Sequence, residues 1–578
     1  TLHSRLDLRL RHVDEGWNLD LKATPSDSRQ PEQRFSLRRH DDRLDMAGEG
    51  FDLDLLRPWL VVTPVLPARL REALIQYRPR GIVHELRVQM DLAAEDGQAW
   101  PDLHGHARFD GIGWLGQGDQ PAVSDLRGEL WLAGMAALLH LDSPGLATDF
   151  HDMFREPLAF EQARGDLALF WADTPRMVGH GLNLYNRDLD LDLDLQLDLP
   201  RGQSPQIALD GRFRNIRSGR IPDYLPRDVL GPETLAWLDR ALPDSGGFVP
   251  GGEVRLHGDL GRFPHYDDGS GLFEVRFAFR DLKLDYAKGW RPAEQLHGEL
   301  AFLNNGFSGR IDGGSIRGVP LREGWIAVPD FDLPRLDVRL ALEGKVESML
   351  GVLRDSPLIK DRTTFDTARM TGPATLSLRV DLGLDRRDTR PDQGAGWIDL
   401  HGTRLAALDH ELERIQGRLH FVNDRLDARD IRARYLGREA RLSVDSEPRG
   451  EALAYRIGLD TRTEASTWLA SRSPWSARLP GEFPVHAELL IDVKGPRGRA
   501  VGLALHSSLE GLAIDLPPPL GKAADEERPS EARLTWLDGR LEDLHLAQPD
   551  LLDARLALED ARVQSGHVVL GGGRSGPL

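Results

Sequence analysis

The sequence predicts a mostly β protein, an elongated and curled antiparallel sheet that forms a long hydrophobic groove, with a few short helices. Three observations carry this. Leu189 to Leu199 reads LDLDLDLQLDL, with leucine at every odd position and Asp or Gln at every even one. A period of two smears leucine round a helix but puts every leucine of a strand on one face. The same alternation recurs along nearly the whole chain, and helical spacing is scarce. Fully burying the six leucines of this stretch contributes about 9 to 18 kcal/mol, whereas the acidic and amide side chains opposite are expected to stay in water.

In chain order, Leu6, Leu8 and Leu10 open the pattern, followed by Trp17, Leu19 and Leu21; after a Pro/Ser/Gln-rich turn from Thr24 to Arg34 come Phe35 and Leu37. Phe273, Val275, Phe277 and Phe279 alternate, and Leu282, Leu284 and Tyr286 continue one residue out of phase, which predicts a β-bulge at Arg280 and Asp281. Leu336–Leu342, Leu376–Leu384, Leu453–Leu459, Val485–Val493, Val501–Leu505 and Arg555–Leu558 carry the same signature. At about 12 residues per strand and turn, roughly 45 strands are expected.

Two helices are expected, Pro67 to Tyr77 and Pro232 to Leu242, the latter with Leu235, Leu238 and Leu242 on one face. Both are read as plugs or caps lying on the sheet. A loose repeat places an apolar residue two before a glycine ahead of an alternating strand, at Leu126-Arg-Gly, Leu296-His-Gly and Ile415-Gln-Gly. The expected organisation is one continuous β unit over 1–578, with internal breaks near 24–34, 200–206 and 385–396.

A net charge of −19 and a pI near 5.5 argue against nucleic-acid binding, which needs a basic stripe, and against headgroup-driven adhesion to anionic membranes. With no cysteine there is no disulfide, thiol nucleophile or thiolate-bound metal. The longest apolar runs, such as Trp59–Val62 and Ala136–Leu139, fall far short of the roughly 20 residues of a spanning helix. The chain starts at Thr1 without an initiator Met and ends in GGGRSGPL, so it reads as a fragment whose signal or anchor segment lies outside it.

No catalytic, cofactor-binding or metal site is expected. Gly111-Ile-Gly-Trp-Leu-Gly matches a dinucleotide fingerprint in letters, but Gln117-Gly-Asp-Gln-Pro follows where a helix should, so a loop is expected. Asp188, Asp190, Asp192 and Asp194 lack the glycines of a calcium-binding loop and read as a solvated strand face. His104 with His106, and His265 with Asp267 and Asp268, offer too few ligands for a metal. Trp131, Trp171, Trp237 and Trp290 read as wall aromatics, membrane-edge anchors or sugar platforms.

One-faced strands pair into a sandwich, close into a barrel or curl into a trough. Some 45 strands exceed any single sandwich, and stacked at about 4.8 Å they form a rod of order 200 Å. An apolar, featureless wall holds acyl chains without fixing them, because hydrophobic contact has no direction.

Several segments also resemble a known family: Ile221-Pro-Asp-Tyr-Leu-Pro, Leu235-Ala-Trp-Leu-Asp-Arg-Ala-Leu, Gly251-Gly-Glu-Val-Arg-Leu-His-Gly, Phe263-Pro, Gly271-Leu-Phe-Glu-Val, Leu284-Asp-Tyr-Ala-Lys-Gly-Trp-Arg-Pro, and Leu509-Glu-Gly-Leu-Ala-Ile-Asp-Leu-Pro-Pro-Pro-Leu-Gly-Lys. Spread over roughly half the chain, they are similar to the central region of the YhdP family, AsmA-like and TamB-related. The resemblance implies a periplasmic β-groove, anchored in the inner membrane of a Gram-negative cell through an N-terminal segment absent from this chain. Along it phospholipid acyl chains pass towards the outer membrane, and partners at either membrane are met through parts outside this chain. It implies no cofactor and no enzyme.

The residues expected to line the groove are Leu189, Leu191, Leu193, Leu195, Leu197, Leu199, Phe273, Val275, Phe277 and Phe279. The alternatives are a structural scaffold or outer-membrane assembly factor, with the apolar face as sealed core, and a carbohydrate-processing β-solenoid enzyme, which needs two carboxylates about 5 to 9.5 Å apart.

Overall fold

The computed structural model describes residues 4–571 apart from 14–15, 26–32, 63–67, 92–101, 119, 172–173, 244–245, 267, 287–290, 356–368, 386, 408–409, 450–451, 469–475, 496–497, 538–539 and 560–561. The chain divides into two units, Thr1–Lys288 with Ala293–Arg310 and Pro329–Asp332, and Gly289–Pro292 with Ile311–Val328 and Leu333–Leu578. The turn expected across Thr24–Arg34 lies mostly outside the described residues, as does Trp290.

Each unit is an antiparallel sheet in which most strands pair with their neighbours in sequence. In the first unit Ser4–Val13 pairs with Gly16–Pro25, and the meander runs on through Arg80–Asp91, Leu103–Trp114 and Ala122–Gly134. A flap of two short strands interrupts it before Gln162–Phe170, Arg176–Asn186, Leu189–Asp198, Gln206–Arg217, Phe248–Asp259, Gly271–Leu284 and Ala293–Leu303 follow in order. In the second unit the strands from Val319–Val328 to Arg562–Leu570 repeat the pattern, and Arg335–Lys345 pairs directly with Pro373–Gly383 across an inserted helix. Among the described residues, Ser4–Val13 pairs only with Gly16–Pro25 and Arg562–Leu570 only with Leu552–Glu559. Neither sheet closes on itself through those strands.

The described residues hold 33 strands against the expected 45. Strand length explains the shortfall: Gln393–Ala407 runs 15 residues, Gly271–Leu284 14 and Ala122–Gly134 13. The bulge expected at Arg280 and Asp281 is present, with a register shift between Phe279 and Leu282 and Asp281 at φ 52°.

It is one of a series. The period of two is interrupted by a step of three at Phe109/Ile112, Gly179/Leu182, Phe279/Leu282 and Ala428/Ile431, each at a register shift. Gly111, Gly181, Asp281 and Asp430, one residue before the step ends, all have positive φ. One extra residue per strand keeps the apolar side chains on one face while bending the strand. The apolar-x-Gly repeat belongs to this series: Asp125, Gln295 and Arg414 have positive φ, and Leu126, Leu296 and Ile415 follow them inside strands. The motif therefore marks a bulge within a strand and not the approach to one. In the same way Gly111–Trp114, expected as loop, is the bulged end of Leu103–Trp114.

Helices cover the apolar face in places. Leu53–Val62 and Ala68–Tyr77 lie against the first strands, with Leu56 and Leu60 buried among Leu19, Leu21, Phe35, Leu37, Leu44 and Phe51. Leu37 and Leu44 are 0 % exposed. In the second unit Val346–Arg354 does the same over Arg335–Lys345 and Pro373–Gly383, sealing Met349, Leu342 and Leu376. The helix expected at Pro232–Leu242 spans Arg227–Ala241, with Pro232 inside it and Leu242 as its C-cap.

The expected break at 385–396 is a tied hairpin end between Pro373–Gly383 and Gln393–Ala407. Arg335 pairs with Asp381, reaches Asp388 at 2.8 Å and donates to the Pro391 carbonyl at 2.8 Å.

Candidate functional site

Between Arg176 and Leu303 the apolar face of the first unit has another character. Cross-strand register assembles it into four rows. One runs Leu184, Leu191, Phe213, Gly252, Phe277, Leu300 and the next Leu182, Leu193, Gly211, Val254, Val275, Phe302. A third runs Gly179, Leu195, Leu209, Leu256, Phe273, and the fourth Met177, Leu197, Ile207, Gly258, Gly271. From Leu191 to Leu197 the rows span about 20 Å along the strand at 3.3 Å per residue.

Leu191, Leu193, Leu195, Leu197, Phe273, Val275 and Phe277 are half-buried. Leu189 at 6 % and Phe279 at 4 % exposure close the bulged margin of the face. Leu199 lies past the strand end and is 44 % exposed; its N–H donates to the Pro175 carbonyl at 2.8 Å. The register thus joins the leucine strand to the phenylalanine strand through two intervening strands, a link that sequence distance hides. Those intervening strands alternate less cleanly, because Gly211, Gly252 and Gly258 stand at apolar-face positions. The clue to them was the step of three at Phe213/Ile216, where Asn215 has φ 63°.

The opposite face is charged, and largely neutralised. Arg214 donates to Asp190 at 3.1 Å and Asp192 at 2.6 Å, and Asn183 donates to the same two carboxylates. Arg212 reaches Glu253 at 3.5 Å and Arg255 reaches Glu274 at 3.4 Å. The Asn183 amide, with Arg214 beside it, holds the Asp192 carboxyl below its ordinary range. The aspartates expected to face only water are half of an ion-pair ladder from strand to strand, which steadies a long sheet whose other face is only partly covered.

The helix Arg227–Ala241 docks on the turns at the bulged ends of these strands: Trp237 Nε1 donates to the Tyr286 carbonyl at 3.0 Å and Arg155 to Asp239 at 2.6 Å. Leu235, Leu238 and Leu242 are half-buried. Of the candidate metal groups, His106 faces Glu129 at 3.8 Å and Asp268 pairs with Arg262 at 2.6 Å. Among the described residues no three His, Asp or Glu side chains come together as a metal site. Trp131 lies beside His106, 5.4 Å between ring centres.

A family model described as YhdP protein matches residues 2–577. The chain belongs to the YhdP family. A curated relative, the intermembrane phospholipid transporter YhdP of Escherichia coli strain K12, is 23 % identical over 526 residues, covering 88 % of this chain and 39 % of that protein. The chain thus spans about two-fifths of the relative's length. No solved structure matches it.

Several of the segments that resemble the YhdP family border the open face. Gly251–Gly258 and Gly271–Val275 are two of its strands, and Ile221–Tyr224 is a tight turn beneath the helix Arg227–Ala241. The Pro-rich segment from Leu509 to Lys522 folds as a loop in the second unit. Buried Lys522 donates from Nζ to the Leu512 carbonyl at 2.9 Å and the Ala523 carbonyl at 2.7 Å, and burial pushes its ammonium below the ordinary lysine range.

Proposed function

We propose that this chain is part of a periplasmic conduit, tethered to the inner membrane, that shields phospholipid acyl chains on their way between the two membranes of the envelope. One observation carries the reading: the side chains of Leu191–Leu197 and Phe273–Phe277 on these apolar rows stay half-exposed where comparable side chains elsewhere in the same sheet are sealed by helices. An apolar surface of this extent has a function in a soluble environment, and non-directional contact suits cargo that must slide. The name of the Escherichia coli relative supports the same cargo.

In this reading Leu191, Leu193, Leu195, Leu197, Phe273, Val275 and Phe277 are the wall. The helix Arg227–Ala241 bounds it, with Leu235, Leu238 and Leu242 as the side chains it offers as a plug. The role requires no catalysis by this chain.

The test is in-cell photo-crosslinking in the full-length protein, with the reactive residue at Leu193 or at Asp192 and mass spectrometry of the adduct. Phospholipid captured at Leu193 and not at Asp192 is the expected result. Capture at neither position, with both variants folded and expressed, replaces this reading with the scaffold.

A further inference from the structure

The fourth row of the open face does not stop at Met177. Register carries it on through Leu169 and Ala137 to Leu132, on the strands Gln162–Phe170, Ala136–Ser143 and Ala122–Gly134. Over this stretch the opposite face of the same strands is apolar as well. Trp131 stands opposite Leu138, Leu138 opposite Ala168 and Ala168 opposite Val178; nearer the strand ends Ala133, Ala136 and Phe170 stand in line. Leu130–Leu139 and Leu167–Trp171 contain no charged residue. The two hairpin ends are joined where the Trp171 N–H donates to the Met135 carbonyl at 3.1 Å.

Other hairpins on this margin end in charged or polar residues, His40-Asp41-Asp42-Arg43 and Arg201-Gly202-Gln203-Ser204 among them. Further along the same strands the outer face is charged again, with Glu129, His140 and Asp166 in register and His140 Nδ1 2.8 Å from Asp166. Strands that are apolar on both faces are ordinarily covered on both. Here the outer face is open: Trp131, Leu138 and Phe170 are 41, 44 and 41 % exposed. Lone apolar side chains on a surface are ordinary, whereas three on adjoining strands form a contact surface.

Continuity decides what that surface contacts. With no charge at Met135 or Trp171, the apolar wall passes round the strand ends to the outer face without a break. At Leu197, on the same row, the way round is closed, because its neighbour Asp198 is paired with Arg176. We infer that the hairpin ends at Met135 and Trp171 form a lateral port, where phospholipid acyl chains pass between the wall and the outer face of the sheet. The inference rests on the lipid reading above and adds the place at which cargo crosses the margin.

The experiment is in-cell photo-crosslinking in the full-length protein, with an aromatic photoreactive residue at Leu138, at Phe170 or, as control, at His140, and mass spectrometry of the adducts. Phospholipid captured at Leu138 and Phe170 and not at His140 is the expected result. A second arm keeps the reactive residue at Leu193 and adds Leu138→Glu or Phe170→Glu. Glutamate suits an outer strand face, and at position 170 it stands opposite Arg176, so both variants are expected to keep the melting temperature of the unaltered protein. Each is expected to lower lipid capture at Leu193 about tenfold, the effect of a charge in the path of an acyl chain.

With lipid still captured at Leu193, an adduct at Leu138 and Phe170 that is protein only, or none at all, overturns the port and leaves the lipid reading standing. Lipid captured at Leu138 while both folded glutamate variants leave capture at Leu193 unchanged also overturns it, since the outer face then meets lipid independently of the wall. No lipid at Leu193 in the unaltered background overturns both readings.

Discussion

The Phe213 ring lies over Gly252, its partner on the next strand: a Cβ on Gly252 would stand 2.5 Å from Phe213 Cζ and 2.5 Å from the Arg276 carbonyl oxygen. Glycine here lets the aromatic side chain lie flat along the wall, where a second side chain would push it off. Gly252→Ala is expected to cost about 1 to 3 kcal/mol by overpacking. Adding Phe213→Leu should restore only part of it, because the Arg276 carbonyl does not move. Thermal denaturation of the single and double variants checks both statements.

Open and sealed rows predict different costs for the same substitution. Leu37→Ala removes a fully enclosed side chain and should cost about 2 to 5 kcal/mol. Half-exposed Leu193 has less surface to lose, so Leu193→Ala should cost about 1 kcal/mol. Urea titration of both variants measures the difference. Equal costs would mean that the Leu193 face is sealed core.

The bulge at Asp281 needs a residue that accepts positive φ. A β-branched side chain is strained there, so Asp281→Val should lose about 1 to 3 kcal/mol. Asp281→Gly relieves the same strain and should be neutral or stabilising. Melting temperatures that rank Val below Asp and Gly at or above it confirm the geometry.

Acid should loosen both units through depressed carboxyls. Asn183 and Arg214 hold Asp192 below the ordinary value of 3.8, and Arg390 followed by Arg335 holds Asp388 far below it. A carboxyl depressed in the folded state contributes stability that is fully present above the ordinary carboxylate range and is lost as pH falls through the folded value. Melting temperature should therefore be level from neutral pH to about 5 and fall below about 4. Asp388→Asn is expected to lower stability at neutral pH and to flatten that acid limb.

Local chemistry wrote much of this architecture into the sequence. Alternation at Leu189–Leu199 specified a strand with one apolar face, because a period of two has no other compact reading. The phase slip between Phe279 and Leu282 specified a bulge, because an apolar residue on the wrong face would meet water. The helix at Ala68–Tyr77 was legible from its spacing. Leu53–Val62 was not, since Asp54, Arg57 and Pro58 interrupt it and the short apolar run Trp59–Val62 suits a buried strand as well as a helix.

What the tertiary structure alone decided is which stretches of that apolar face are covered. Leu37 and Leu193 belong to the same kind of alternating strand, yet one is sealed beneath Leu53–Val62 and Ala68–Tyr77 and the other lies half-open. The pattern along a strand records which side is apolar, whereas what lies against that side comes from segments distant in sequence. The charged face was undecided for the same reason. Asp190 and Asp192 read as solvated until register set Arg214 opposite the first and within reach of the second, and register is a property of the pair of strands.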